Sequence, residues 1–158
     1  MTWIDLFRVA PGEDDAFLAA WDGPGTLYRA LRRDVEFRFV AVGAAGGGAE
    51  YEVVREDGAP ETAGGVTLIN AFEVPGGEDE AFLAGWDGAR ATLAEQQGYL
   101  GTLLHRATGA AEFRFVNVAR WSSPLMFARA VERPAFREAA ARIPFPSLPA
   151  LYLPVIPG

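Results

Sequence analysis

The chain has 158 residues, half of them apolar, and a formal net charge of −7 at pH 7; this suffices for one domain with a substantial core or for two closely packed half-domains. The acidic balance disfavours a nucleic-acid partner, which needs a basic face to release counterions from phosphates. Cysteine is absent and histidine occurs once, which excludes disulfides, thiolate catalysis and a histidine-rich or sulfur-ligated metal site.

An internal repeat is the most informative feature. Residues 2–23 align without gaps on residues 67–88, and 14 of the 22 pairs are identical, where chance would give about one or two. The second copy then has 11 extra residues, 90–100, after which residues 25–42 align on 101–118 with 9 identities in 18. The chain is therefore a duplication in which one copy is shortened.

The first copy contains the strands of the repeated unit but only part of its helical cover. We expect only the first turns of its initial helix, and no second helix follows the strand at residues 36–42. A Gly-rich segment leads instead to a strand-like run at 51–57. A sheet without helical cover cannot bury both faces, so this half is expected to pack its bare strands against the complete copy.

The second copy has the pattern of a β-α-β-β-α-β unit. Alternation over residues 67–74 predicts its first strand. Apolar residues at helical spacing predict the helix that follows, with a buried stripe of Phe82, Trp86, Ala89 and Leu93. Residues 100–106 and the strand that begins at Glu112 then form a hairpin.

Two short helical segments and a final strand complete this unit. A serine N-cap before Pro124 predicts a helix start, and Pro134 separates the segments 125–131 and 135–142. Pro144, Pro146 and Pro149 prevent any further helix after these segments. The last strand is expected at a sheet edge, around residues 151–155.

The strand Glu112–Trp121 carries polar groups on an apolar face. Because side chains alternate along a strand, five of its residues are expected to share one face: Phe113, Phe115, Asn117, Ala119 and Trp121. The first copy has Ala41 and Ala45 at the positions of Asn117 and Trp121. Any chemistry is therefore expected in the second copy.

The segments INAFEV, GYLGTLLHR, FRFVNVARWSS and FREAAARI, with the motif N-x-x-x-W-x-S, resemble the antibiotic biosynthesis monooxygenase family. Members are small ferredoxin-like domains that pair their sheets into a dimeric α/β barrel. The resemblance implies an α+β fold in which two ferredoxin-like repeats form such a barrel within one chain. Residues 1–58 would be a truncated repeat lacking its second helix, 59–65 a linker, and 66–158 a complete domain.

The resemblance also implies site residues. In the quinone-forming anthrone oxygenases of the family, an Asn, a Trp and an Arg line a cleft between sheet and helices, and Asn117, Trp121 and Arg137 match them. A tyrosine of some members falls at Phe127. Heme-degrading enzymes of the same fold use an Asn on the first strand, a Trp and a helical His; Asn70 and Trp121 match, but no predicted helix contains histidine.

Each candidate residue also has a purely structural interpretation. Asn117 would be a buried amide satisfied by backbone, Trp121 a core residue and Arg137 a solvated surface group. His105 titrates near neutral pH and is either a proton carrier or structural. Of the candidate substrate-binding residues, Asn70, which is Asp5 in the first copy, is either a capping or a pocket group. The others are core by default and line an aromatic cleft only if one is open: Phe72, Trp86, Phe113, Phe115 and Phe127.

The function implied by the resemblance is a monooxygenase that acts on a polycyclic aromatic, anthrone- or naphthol-like polyketide intermediate of antibiotic or pigment biosynthesis. Molecular oxygen is the co-substrate, and no cofactor or metal is expected, because the substrate anion reduces dioxygen itself. Asn117 and Trp121 would donate to a developing oxyanion and Arg137 would stabilise negative charge. A polyketide cyclase or isomerase on the same barrel and a non-catalytic ligand-binding accessory protein are the alternatives.

The expected partner is thus a small aromatic molecule, with no nucleic acid and no membrane. No run approaches the roughly 20 apolar residues that span a bilayer, and no secretory signal is visible at the acidic amino terminus. A cytoplasmic location is expected, and a homodimer of the barrel is left open.

Overall fold

The computed structural model describes residues 1–156. The first repeat contains four strands and one helix: β1 (Thr2–Phe7), α1 (Asp14–Ala20), β2 (Thr26–Ala30), β3 (Phe39–Gly43) and β4 (Ala49–Gly58). The second adds two helices to the same plan: β5 (Val66–Phe72), α2 (Asp79–Ala94), β6 (Tyr99–Ala107), β7 (Phe115–Trp121), α3 (Pro124–Val131), α4 (Pro134–Ala140) and β8 (Ser147–Pro154).

The eight strands form one closed barrel in the order β1-β3-β2-β8-β5-β7-β6-β4, and all neighbours are antiparallel. Two of these pairs join the repeats, because β8 lies beside β2 and β4 lies beside β6. The last strand of each repeat therefore bridges its own sheet and that of the other repeat. This arrangement confirms the expected α+β fold, in which ferredoxin-like repeats form an α/β barrel within one chain.

The expectation of an edge position for the last strand is wrong. Residues 147–152 of β8 pair with β5 and residues 152–154 pair with β2. The strand therefore has a neighbour on each side, and the barrel closes through it. Pro149 lies in the part of the strand that has only β5 beside it, which accommodates a residue without an N–H.

The barrel interior is an apolar core to which both repeats contribute, including Ile4, Val40, Ile69 and Val116. Two tyrosines at equivalent positions cross between the repeats. The Tyr51 hydroxyl donates to the Phe113 carbonyl at 2.8 Å, and the Tyr152 hydroxyl donates to the Phe37 carbonyl at 2.6 Å. The rings of Phe37 and Phe113 meet edge to face with centroids 5.5 Å apart.

The outer face of the barrel is covered by helices, most extensively over the second repeat. Helix α2 buries the predicted stripe through Phe82, Trp86 and Ala89. Helix α3 begins as predicted, with Pro124 in its first turn and the Ser123 hydroxyl accepting a bond from the Met126 N–H. Within residues 1–156, none of the helices has the length and apolar character needed to cross a membrane.

Candidate active site

A cavity of about 430 Å³ lies between the outer face of the second repeat's sheet and helices α2, α3 and α4. Strands β5, β6, β7 and β8 form one wall, and the helices form the other with mainly aromatic and aliphatic side chains. Its size falls in the usual range for small-molecule sites. The first repeat, which has only the short helix α1, retains a pocket of about 60 Å³ at the corresponding place beside Asp5 and Ala41.

Two asparagines face each other on the strand wall of the cavity. Asn70 on β5 lies directly opposite Asn117 on β7, so their side chains stand side by side on one sheet face. The Thr102 hydroxyl on β6 donates to Asn117 Oδ1. This bond orients the amide with Oδ1 toward Thr102, so that its N–H groups are the donors that Asn117 can offer to a ligand. Asn70 Oδ1 is buried and has no hydrogen-bond partner among the described residues.

Trp121 lies farther along β7 in the same wall. Its ring is fully buried and packs edge to face against Tyr99 and Phe127, with centroids 5.4 and 5.5 Å apart. Its indole N–H has no hydrogen-bond partner within residues 1–156. A buried donor without a partner costs roughly 1–3 kcal/mol, so Trp121 is a donor that an oxygen atom in the cavity would satisfy.

Six of the residues proposed from the sequence line this cavity: Asn70, Phe72, Trp86, Asn117, Trp121 and Phe127. Phe115 lies on the same sheet face but does not line the cavity, because its ring is stacked on Phe82 of α2, with centroids 4.3 Å apart, in the core between sheet and helix. Phe113 is not on the cavity face. Regular alternation begins only at Phe115, where β7 starts, and the preceding Phe113 packs into the barrel interior.

His105 and Arg137 lie outside the cavity, which corrects the expectation that they belong to this site. His105 is on the inner face of β6, since its neighbour Leu104 is the residue paired with Asn117. Its Nδ1 lies 3.1 Å from the Val116 carbonyl, and burial lowers the pKa of its imidazole. Arg137 is exposed on α4, which turns Phe136 toward the cavity.

Sequence reasoning missed four polar residues in the cavity wall: Thr102 and Ser147, and the neighbouring pair Arg90 and Tyr99. Arg90 is the one charged residue among those that line the cavity in the described chain. Arg90 and Tyr99 bind the same carboxylate of Asp57: Tyr99 Oη donates to Oδ1, and Arg90 Nη1 donates to Oδ2. A signal for them exists in the sequence, because both fall in the segment 90–100 that the first repeat lacks.

The cavity is thus an aromatic slot with neutral donors on one wall and one paired cation at its rim. Such a site can hold a planar aromatic molecule and place hydrogen-bond donors against an oxygen that gains negative charge. Within residues 1–156, no group of three or more His, Cys, Asp or Glu side chains is placed to hold a metal ion.

Two solved structures resemble somewhat more than half of the chain. A proposed monooxygenase from Shewanella loihica PV-4 is 38% identical over 59% of this chain and 95% of its own, with a TM-score of 0.52. SnoaB, a cofactor-independent oxygenase from Streptomyces nogalater, is 28% identical over 56% of this chain and 90% of its own, with a TM-score of 0.51.

The fold of nearly the whole chain is shared with LmHde, a heme-degrading enzyme from Listeria monocytogenes. The two are 18% identical over 96% of this chain and 97% of that one, with a TM-score of 0.59. No curated protein matches the chain.

A family model described as antibiotic biosynthesis monooxygenase matches residues 65–142. With this match and the 38% identity to the Shewanella protein, the chain belongs to the antibiotic biosynthesis monooxygenase family.

Proposed function

We propose that the protein is a cofactor-independent monooxygenase that oxidises a polycyclic aromatic phenol of the anthrone or naphthol type. The observation that carries this proposal is the cavity beneath α2, α3 and α4, whose aromatic walls suit a planar molecule and whose donors concentrate on the strand wall. The 28% identity to a cofactor-independent oxygenase supports it. The substrate would be an intermediate of antibiotic or pigment biosynthesis.

The reaction needs little chemistry from the protein. An electron-rich phenol that has lost a proton can transfer electrons to dioxygen, and the two then combine at a ring carbon. For an anthrone, one oxygen atom becomes the new carbonyl of the quinone and the other leaves as water with the two hydrogens of the oxidised carbon. Dioxygen is therefore the oxidant, and the substrate supplies all the electrons.

The protein contributes position, exclusion of water and donors for negative charge. The Asn117 amide and the Trp121 indole lie on one strand, where they can donate to an oxygen that becomes an oxyanion. Trp86 and Phe127 face this wall from the helices and would hold the aromatic rings against it. Substrate binding would also supply the missing partner of the Trp121 N–H.

A heme-based reaction finds less support in the residues present. Heme iron is usually held by an axial side chain such as histidine, and the single histidine lies on the opposite face of the sheet from the cavity. A polyketide cyclase or isomerase is the second candidate, because Asn117 and Trp121 could equally polarise a substrate carbonyl without oxygen.

Oxygen uptake by the purified, chelator-treated protein with dithranol, a dihydroxyanthrone, tests the proposal. We expect one oxygen molecule consumed for each quinone formed. Trp121→Phe keeps an aromatic ring but removes the N–H, and loss of one such donor typically lowers kcat about 10²-fold. Trp21→Phe, in the first repeat, is the matched control and should leave the rate unchanged.

The outcomes separate the candidates. If none of a panel of anthrones and naphthols elicits oxygen uptake, the oxygenase proposal fails. Turnover of a substrate under anaerobic conditions would instead assign a cyclase or isomerase. Binding without turnover in either condition would assign a ligand-binding accessory protein.

A further inference from the structure

The proposed reaction requires a group that takes the phenolic proton and a cation that stabilises the anion left behind. His105 and Arg137 lie outside the cavity and cannot do either. Arg90 is the charged residue that lines it, from the helical wall. Tyr99 lines it from the end of β6 and is bound, like Arg90, to the Asp57 carboxylate.

The position of Tyr99 depends on a β-bulge. Tyr99 and Thr102 both line the cavity although they are three residues apart, which regular alternation forbids. The pairing between β6 and β7 shifts by one residue between Tyr99 and Gly101, and Gly101 has a φ of 155°. A bulge of this kind re-aims a side chain, and here it brings Tyr99 into the cavity wall, with its hydroxyl bound to Asp57.

Asp57 comes from the first repeat. It lies near the end of β4, opposite Thr102 in the pair that joins the two repeats. Its side chain and that of Arg90 are 29% and 31% exposed, so the ion pair is shielded but not sealed. The truncated repeat therefore supplies the carboxylate on which the polar rim of the second repeat's cavity depends.

The geometry points to Tyr99, Asp57 and Arg90 as a proton relay that ionises the substrate; this inference rests on the proposed function. The substrate hydroxyl gives its proton to Tyr99 Oη while the proton of Tyr99 passes to Asp57 Oδ1. The neutralised Asp57 no longer balances Arg90, which then pairs with the substrate oxyanion. Two protons shift, so that the net transfer is one proton from the substrate to Asp57; no electrons are transferred, and the total charge of the four groups is unchanged.

The resting state of the relay is consistent with this sequence of events. Burial, with the bond to Asp57, raises the pKa of the Tyr99 hydroxyl above its usual value, so Tyr99 is a neutral carrier rather than a phenolate. Asp57 acts through Tyr99 and is a positioning residue, whereas Tyr99 and Arg90 would touch the substrate.

Anaerobic titration with dithranol separates ionisation from oxidation. At a pH at which free dithranol is neutral, the wild-type protein is expected to bind it with the red-shifted absorption of the anion. Tyr99→Phe and Asp57→Asn should bind dithranol in its neutral form and consume oxygen at least about 10²-fold more slowly, the usual contribution of a positioned acid or base. Arg90→Gln should also lose the anion spectrum.

The chain offers a matched control in a second ion pair between the same two elements. Arg55 on β4 binds Asp87 on α2 at 3.0 and 3.2 Å, and neither residue lines the cavity. Asp87→Asn removes a link between β4 and α2 that is comparable to the Asp57–Arg90 pair. It should leave the spectrum of bound dithranol and the oxygen-uptake rate unchanged.

Each result is decisive. If dithranol binds to the wild type as the anion but neither dithranol nor any other anthrone or naphthol of the panel elicits oxygen uptake, the relay is supported and the proposed function fails. If oxygen uptake and the anion spectrum persist in Tyr99→Phe, the relay is overturned and the function stands. If no anthrone or naphthol of the panel binds to the wild type, both fail. Should Asp57→Asn unfold, Tyr99→Phe alone decides, because the relay requires that hydroxyl.

Discussion

At the scale of single residues, His105 illustrates how the side of a sheet decides what a titratable group can do. Its imidazole is 2% exposed on the inner face of β6, where Nδ1 lies against the Val116 carbonyl. Burial lowers its pKa, because desolvation disfavours the charged form. A neutral imidazole that the sheet separates from the cavity is a structural group.

This burial predicts a pH dependence of stability. With a lowered pKa in the folded state, the unfolded chain takes up a proton first as the pH falls through about 6.5, so the free energy of unfolding should decrease below that pH. Urea denaturation at about pH 8 and again at about pH 5.5 gives the free energy of unfolding at each pH. Between these two values it should fall less for His105→Gln than for the wild type. An equal decrease in both would show that His105 titrates alike in the folded and unfolded states.

Part of the site could be predicted from single residues, and part could not. Alternation along one strand placed Asn117 and Trp121 together, because that rule depends only on local geometry. Arg90 escaped prediction because the rotation of a helix against a sheet depends on packing of the whole domain. Tyr99 was hidden by a bulge, and Asp57 belongs to the other repeat.

At the scale of elements, helix α3 shows a start that local chemistry determines. Ser123 has an extended backbone and caps the Met126 N–H at 3.2 Å, and Pro124 occupies the first turn, where an N–H is not needed. The helix then carries Phe127 and Val131 into the cavity wall. Its start was predictable because cap and proline act within one turn, whereas the pairing of β8 depends on a distant strand.

The cap can be tested by a pair of neighbouring substitutions. Ser123→Ala removes the acceptor of the Met126 N–H and should lower the free energy of unfolding by about 1 kcal/mol, the usual value for an N-cap. Ser122→Ala, at an exposed position, should change it little. Urea denaturation measures both, and equal effects would indicate that the Ser123 side chain does not cap α3.

At the scale of the whole molecule, the barrel explains how a truncated repeat is retained. Neither repeat can close a barrel alone, because β2 pairs with β8 of the other repeat and β6 pairs with β4 of the other repeat. The pairing of β4 with β6 also brings Asp57 to the rim of the cavity, where it binds Arg90. The duplication made this architecture predictable, since repeated sheets without full cover must bury their faces against each other.

The two tyrosines that cross between the repeats test whether both halves support the barrel equally. Tyr51→Phe removes the hydroxyl that donates to the Phe113 carbonyl, and Tyr152→Phe removes the hydroxyl that donates to the Phe37 carbonyl. Because both hydroxyls are buried and the pairs occupy equivalent positions, each change should lower the free energy of unfolding by a similar amount, roughly 1–3 kcal/mol. Tyr28→Phe, at a half-buried position, is the control and should cost less. Urea denaturation gives all three values, and a large loss for only one of the crossing tyrosines would mean that the repeats do not contribute equally to the common core.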